Sequence, residues 1–182
     1  MLEAEQATRE CTGARYGILL LGISKMNSFL KFVQVFALGT WVGSIIYLSF
    51  VVAPGAFATL KSRDQAGLMV AYSLSQLHLL GLIAAVLYIV AAFVLVRSMK
   101  DLMQPAFIGV VLMALLTIFS QARVTSRMHL LRTEMVSVDA TPPESPLRVE
   151  FDRLHQLSVR LEVAVLLVGI AALFFTVRDP QS

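Results

Sequence analysis

Residues 77–96 decide the fold: they read LHLLGLIAAVLYIVAAFVLV and contain no Asp, Glu, Lys or Arg. The charge-free window around them runs from Gln65 to Val96. A helix needs roughly 20 apolar residues to cross the hydrocarbon core of a bilayer. The stretch therefore predicts a membrane-spanning helix.

Three further charge-free windows run from Phe32 to Leu60, from Leu102 to Ala122 and from Val163 to Val177. The last is short, and we expect its span to begin at about residue 157. The whole chain is 57% hydrophobic and 15% charged, more apolar than a typical soluble domain. These windows predict an all-α polytopic membrane protein, a four-helix antiparallel transmembrane bundle. Its spans are expected at about residues 30–54, 68–96, 103–122 and 157–177.

Helical patterning continues beyond the third window, and residues 148–177 would form about 45 Å of helix, against a hydrocarbon core of about 30 Å. We therefore expect the third and fourth helices to extend as a polar hairpin outside the bilayer, over residues 123–156. Its tip is the proline-rich turn at 139–146. Residues 29–178 form the single predicted domain. Residues 1–28 are expected to be a disordered tail or a mis-called start upstream of Met26.

Polar residues concentrate at the hairpin end of the predicted bundle. Ionisable side chains at membrane depth are costly and usually face the protein interior, so each one is a functional candidate. The candidate polar site comprises His78, Arg123, Arg127, Arg148, Arg153, His155, Ser158 and Glu162.

Helical spacing places part of this set on shared faces. One stripe of the fourth helix contains Arg148, Phe151, His155, Ser158 and Glu162. Arg123 and Arg127 share a face of the third helix, which predicts an ion pair of either one with Glu162. The alternative is that Glu162 pairs with Arg160 or with solvent.

His78 and His155 are the candidate metal ligands, since two imidazoles would suit haem or copper. No cysteine pair accompanies them, because Cys11 is the single cysteine. A hydrogen bond from His78 to a neighbouring helix is the competing interpretation. The sequence thus predicts no cofactor, with haem or copper as the alternative.

The first span carries the predicted packing positions. Gly39-Thr-Trp-Val-Gly43 has the small-xxx-small spacing that lets another helix approach closely. Pro54 is the third packing position, and Pro54-Gly55 predicts the end of the first helix.

The chain resembles the transmembrane protein 205-like family over about residues 29–177. The matching segments are GTWVG at 39–43, SFVVAPGAF at 49–57, LSQLH at 74–78, Ala122-Arg123 and LRVEFDRLHQLS at 147–158. The resemblance implies a four-helix membrane domain without an established reaction. More remotely, the helix arrangement is similar to copper-resistance D-like and haem-pathway membrane proteins, which implies the haem or copper alternative.

No phosphate-binding loop, nucleophile elbow or His-Glu-x-x-His motif is present. The leading hypothesis is a non-enzymatic binding or accessory protein of the bacterial inner membrane that uses the polar end of the bundle. A haem- or copper-handling protein and a small transporter or membrane enzyme are the alternatives. We expect the lipid bilayer and a second copy or another membrane protein as partners, and no nucleic acid. Lysines and arginines divide almost evenly between the two ends, so the positive-inside rule leaves the orientation open.

Overall fold

The computed structural model describes residues 2–96, 103–135 and 137–178, and the regular structure of these residues is helical throughout. The elements are α1 (Leu2–Tyr47), a π-helical segment π1 (Leu48–Val52), α2 (Ala53–Thr59), α3 (Arg63–Leu95), α4 (Pro105–Phe119), a second π-helical segment π2 (Ser120–Thr125), α5 (Ser126–Met135) and α6 (Pro146–Arg178). Residues 97–101, where the sequence predicts a tight turn between the second and third spans, lie outside the described residues.

In the described part of the chain, four helical rods are long and apolar enough to cross a membrane: 24–59, 63–95, 105–135 and 146–178. The first consists of α1, π1 and α2, and the third of α4, π2 and α5. This confirms the predicted all-α class with four spans, and the chain is a multi-pass membrane protein by helix length and composition. Because α1 extends back to Leu2, it is helical through the segment predicted as a tail. The domain boundary at residue 28 stays a prediction.

The rods form a closed ring. Both α1 and α4 pack against α3 and against α6. The helices α3 and α6 therefore face each other across the diagonal of the bundle. A side chain that joins α3 to α6 must cross the centre.

Glycines bring the rods together at places other than those predicted. A Cβ built on Gly81 would lie 2.2 Å from Nε1 of Trp41, whose side chain is fully buried. A Cβ on Gly169 would lie 2.8 Å from atoms of Met113 and Val42. The absence of a side chain at these glycines is therefore what lets α1 and α4 pack closely against their neighbours.

Among the described residues, the predicted close approach of another helix at Gly39 and Gly43 does not occur. A Cβ built at either glycine meets no atom within 4 Å. The two glycines flank Trp41, but it is Trp41 that faces the core. Gly39 and Gly43 are therefore not positions where another described helix of this chain packs closely.

The first helix does not end at Pro54-Gly55 as predicted. The π1 segment ends at Val52, and Pro54 lies in the first turn of α2, which follows π1 without a break in the helical backbone. The rod continues to Thr59. Ser62 then caps α3, with its Oγ accepting a 3.1 Å hydrogen bond from the N–H of Gln65.

The hairpin has an apolar cluster of its own beyond the bundle core. Its buried members are Leu131, Met135, Val138 and Phe151. Asp64 ties this cluster to the start of α3, accepting hydrogen bonds from Ser137 Oγ (2.5 Å) and from the N–H of Val138 (3.0 Å). The Ser137 hydrogen bond is the main cause that holds the pKa of Asp64 below its ordinary value. The hairpin is thus a folded unit fixed to the bundle.

Gly81→Ala should destabilise the protein by about 1–3 kcal/mol, because the added methyl group overpacks against the buried Trp41 ring. The measurement is the thermal unfolding midpoint in detergent. The matched control is Gly43→Ala, which meets open space and should be neutral or slightly stabilising through helix propensity. Equal midpoints for the two variants would contradict this packing.

Candidate functional site

His78 lies at the centre of the bundle with a side chain that is 1% exposed. Its Nδ1 is 2.7 Å from Oε1 of Gln121 on π2, and its Nε2 is 2.6 Å from Oε1 of Glu162 on α6. The amide nitrogen of Gln121 donates to Oγ of Ser75 at 3.3 Å. We call these four residues the histidine centre. The predicted hydrogen bond from His78 to a neighbouring helix is confirmed.

The secondary structure explains how these groups meet. Ser75 precedes His78 by about one turn of α3, so both face the third rod. Gln121 lies in π2, where the wider turn of a π-helix shifts the side chains that follow relative to an α-helical register. Glu162 reaches His78 from α6 across the diagonal of the ring. The centre therefore joins three of the four rods.

The hydrogen-bond partners indicate where the ring protons lie. With the amide nitrogen of Gln121 donating to Ser75, Oε1 of Gln121 faces His78, and a proton on Nδ1 completes that hydrogen bond. The Nε2 atom then faces a carboxyl oxygen at 2.6 Å. Each ring nitrogen of His78 is occupied by a protein group.

Helix lengths place the centre close to one membrane boundary. From Glu162 to Arg178 is about 24 Å of helix, and from His78 to Val96 about 27 Å. With Val96 and Arg178 at the opposite boundary and a hydrocarbon core of about 30 Å, we expect the centre about 3–6 Å inside the boundary on the hairpin side.

The predicted pairing of Arg123 or Arg127 with Glu162 is wrong. Arg127 instead makes a bidentate ion pair with Glu150, with Nε–Oε1 and Nη2–Oε2 distances of 2.8 and 3.1 Å. That hydrogen-bonded pair raises the pKa of Arg127 and lowers the pKa of Glu150. Glu162 is too far down α6, about 18 Å of helix from Glu150, to share this arginine.

Arg148 is likewise satisfied within the hairpin. Its Nε donates to both carboxylate oxygens of Asp152, one turn along α6, at 3.2 and 3.1 Å. Its Nη1 donates to the carbonyl oxygen of Val138. Arg148 and Asp64 thus bind the two backbone groups of Val138 at the hairpin turn, the carbonyl oxygen and the N–H respectively.

The predicted stripe on α6 separates into an inner and an outer part. Phe151 and Ser158 are buried and Glu162 is 15% exposed, whereas His155 is exposed. His155 therefore does not join His78 as a second imidazole. Arg123 and Arg153 are exposed as well. Within the described part of the chain, no three His, Cys, Asp or Glu residues lie together as metal ligands.

Sequence reasoning missed the partners that complete the site and the hairpin: Ser75, Gln121, Asp64 and Glu150. Gln121 could have been found, since it is an amide near the end of an apolar window and such groups need a partner at membrane depth. Asp64 and Glu150 carried no comparable signal, because charged residues near the end of a span are ordinary.

Comparison with known proteins gives one family. The model described as a domain of unknown function, DUF4149, matches residues 36–137. This is more than half of the chain, and the chain therefore belongs to that family. The match includes His78 and Gln121 and ends before α6. No curated protein and no solved structure matches the chain.

Replacing His78 should destabilise the protein far more than replacing His155. His78→Leu leaves Gln121 and Glu162 without their partner, and an unsatisfied buried polar group costs about 1–3 kcal/mol. His155→Leu changes an exposed side chain and should stay within about 0.5 kcal/mol. Thermal unfolding of both variants in detergent is the measurement, and comparable losses would contradict the assignment of the centre.

Proposed function

We propose that the chain is a non-enzymatic binding or accessory protein of the membrane, whose polar end binds an acidic extramembrane segment of another membrane protein. The proposal is supported by two exposed arginines at that end that form no ion pair among the described residues. Arg127 and Arg148 are already paired with carboxylates of the hairpin. Arg153 and Arg160 are exposed on α6, without an ion pair among the described residues.

Arg153 and Arg160 share one face of α6. They are seven residues apart, which is two turns and about 10 Å along the helix. Gln156 lies between them on the same face and is also exposed. We call these three residues the basic face. Two guanidinium groups at this separation suit an extended acidic segment, which they would hold by charge-assisted hydrogen bonds.

The basic face crosses the expected membrane boundary on the hairpin side. Arg160 is about 3 Å from the level of Glu162, and Arg153 is about 13 Å beyond that level. Since Glu162 is expected about 6 Å inside the boundary, Arg153 reaches only about 7–8 Å beyond it, the outer edge of a headgroup layer that extends about 5–8 Å beyond the hydrocarbon core. A segment that rises from the membrane beside α6 would contact both arginines.

The rigid hairpin supports the same interpretation. Asp64 accepts a hydrogen bond from the N–H of Val138 and Arg148 donates one to its carbonyl oxygen, so two side chains fix the backbone at this turn. A preorganised surface loses less conformational entropy on binding. The hairpin therefore has the physical properties of a binding element.

The proposal also covers the family of the chain and the membrane in which it resides. We place the chain in the transmembrane protein 205-like family and in the bacterial inner membrane. The proposal includes no cofactor, because Gln121 and Glu162 occupy both ring nitrogens of His78 and the His155 ring lies apart from them. Haem or copper handling would require the His78 ring to be released from these partners.

A photoreactive amino acid at position 156 tests the proposal in native membranes. We expect a discrete adduct whose cross-linked peptide is acidic. Arg153→Glu combined with Arg160→Glu should reduce its yield at least tenfold by charge repulsion. The matched control is Arg178→Glu at the other end of α6, which should leave the yield unchanged.

Three results would contradict the proposal. The adduct could consist of lipid, it could consist of a second copy of this chain, or its yield could be indifferent to charge reversal on the basic face. Each would show that α6 does not bind an acidic segment of another protein.

A further inference from the structure

The contact between His78 and Glu162 requires a proton. A lone pair on Nε2 and an ionised carboxylate oxygen would repel each other at 2.6 Å. A proton between the two atoms converts this repulsion into a short charge-assisted hydrogen bond. It can reside on the imidazole, beside an ionised carboxylate, or on the carboxyl group, beside a neutral ring. Either way the pair is neutral overall, with one proton shared.

The second ring nitrogen cannot supply that proton. Nδ1 of His78 donates to the carbonyl oxygen of the Gln121 side chain, whose amide nitrogen is directed at Ser75. The tautomer in which Nδ1 is bare and Nε2 carries the only ring proton would leave Gln121 facing a lone pair. The geometry therefore holds Nδ1 protonated, and the proton at Nε2 is additional.

The groups around the pair leave Glu162 as the charge that faces His78. The third rod contributes the neutral amide of Gln121, while Arg123 on that rod is exposed. The first rod contributes the indole of Trp41 beside Gly81, one turn from His78. The nearest described cation on α1, Lys31, is ten residues before Trp41, about 15 Å along the helix. On α3 itself, Ser75 is the polar neighbour.

The solvent side of the pair is Glu162. Its side chain is 15% exposed, compared with 1% for His78. Glu162 also lies within about 6 Å of the predicted membrane boundary on the hairpin side. A proton can therefore reach the pair through the carboxyl group without crossing the bilayer core.

We propose that His78 and Glu162 form a proton-binding site, which holds one exchangeable proton between Nε2 and Oε1 and is reached from the hairpin side of the membrane. The proton belongs to the folded bundle, because it exists only where α3 and α6 meet across the diagonal. The site is independent of the basic face, so it stands whether or not an acidic partner binds there.

The test is nitrogen-15 and carbon-13 NMR of the full chain in lipid nanodiscs, with labelled histidine and glutamate. An unperturbed histidine has a pKa of about 6.5 and would keep only about 3% of its second ring proton at about pH 8. We expect the His78–Glu162 pair to retain its shared proton in more than half of the molecules at that pH. A histidine peptide in the same buffer provides the reference.

Glu162→Gln separates a proton site from a structural hydrogen bond. The glutamine can still bond to Nε2 by donating from its amide, but it carries no charge to hold an additional proton. The exchangeable proton should then be absent at about pH 8, with Nε2 of His78 unprotonated, while the bundle stays folded. The matched control is Glu150→Gln in the hairpin, which should leave the His78 signals unchanged.

Two results would overturn the proposal. One is an Nε2 without a proton beside an ionised Glu162 carboxylate in the wild-type protein at any pH between about 5 and 8. The other is a proton at Nε2 of His78 that persists at about pH 8 in Glu162→Gln, which would show that the carboxylate does not hold it.

Discussion

The structure depends on a constraint set by the membrane: polar groups inside a bilayer have no water to bond to and must be satisfied by the protein. His78 meets this constraint through Gln121 and Glu162, at 2.7 and 2.6 Å. Those two residues come from the third rod and from α6, so one buried ring connects three rods. The π-helical turn directs Gln121 toward His78, and the position of Glu162 along α6 brings its carboxyl group to the same ring.

The bundle and the hairpin are stabilised by different interactions. In the bundle, close contacts at Gly81 and Gly169 let large side chains such as Trp41 and Met113 fill the core. The hairpin extends beyond the apolar windows. It is stabilised by ion pairs, by side-chain hydrogen bonds to the backbone of Val138 and by a small apolar cluster. Asp64 connects the two regions, because it lies in the first turn of α3 and accepts hydrogen bonds from Ser137 and Val138 of the hairpin. The hairpin is therefore held in place at the end of the bundle that contains the histidine centre.

The sequence predicted the helices well and their contacts poorly. The charge-free windows and the long run from Arg148 to Val177 predicted the four rods and the extended third and fourth helices, because span length follows directly from bilayer thickness. The partner of Glu162 could not be predicted, since it depends on which rods face each other across the ring. Helical spacing suggested Arg123 or Arg127, but the diagonal placement of α3 and α6 brings His78 there instead. Likewise, Pro54 resembled a helix end because the π-helical turn before it leaves no mark in the sequence.

The central claim is that His78 and Glu162 stabilise the bundle as one unit. A double-mutant cycle of His78→Leu and Glu162→Leu, measured as the free energy of unfolding in lipid, tests it most directly. The account predicts that each single change leaves an unpaired buried partner, so that the double variant loses less stability than the two single variants together, with a coupling energy of about 1–3 kcal/mol. Additive losses within about 0.3 kcal/mol would show that the two side chains do not depend on each other, and would contradict the account.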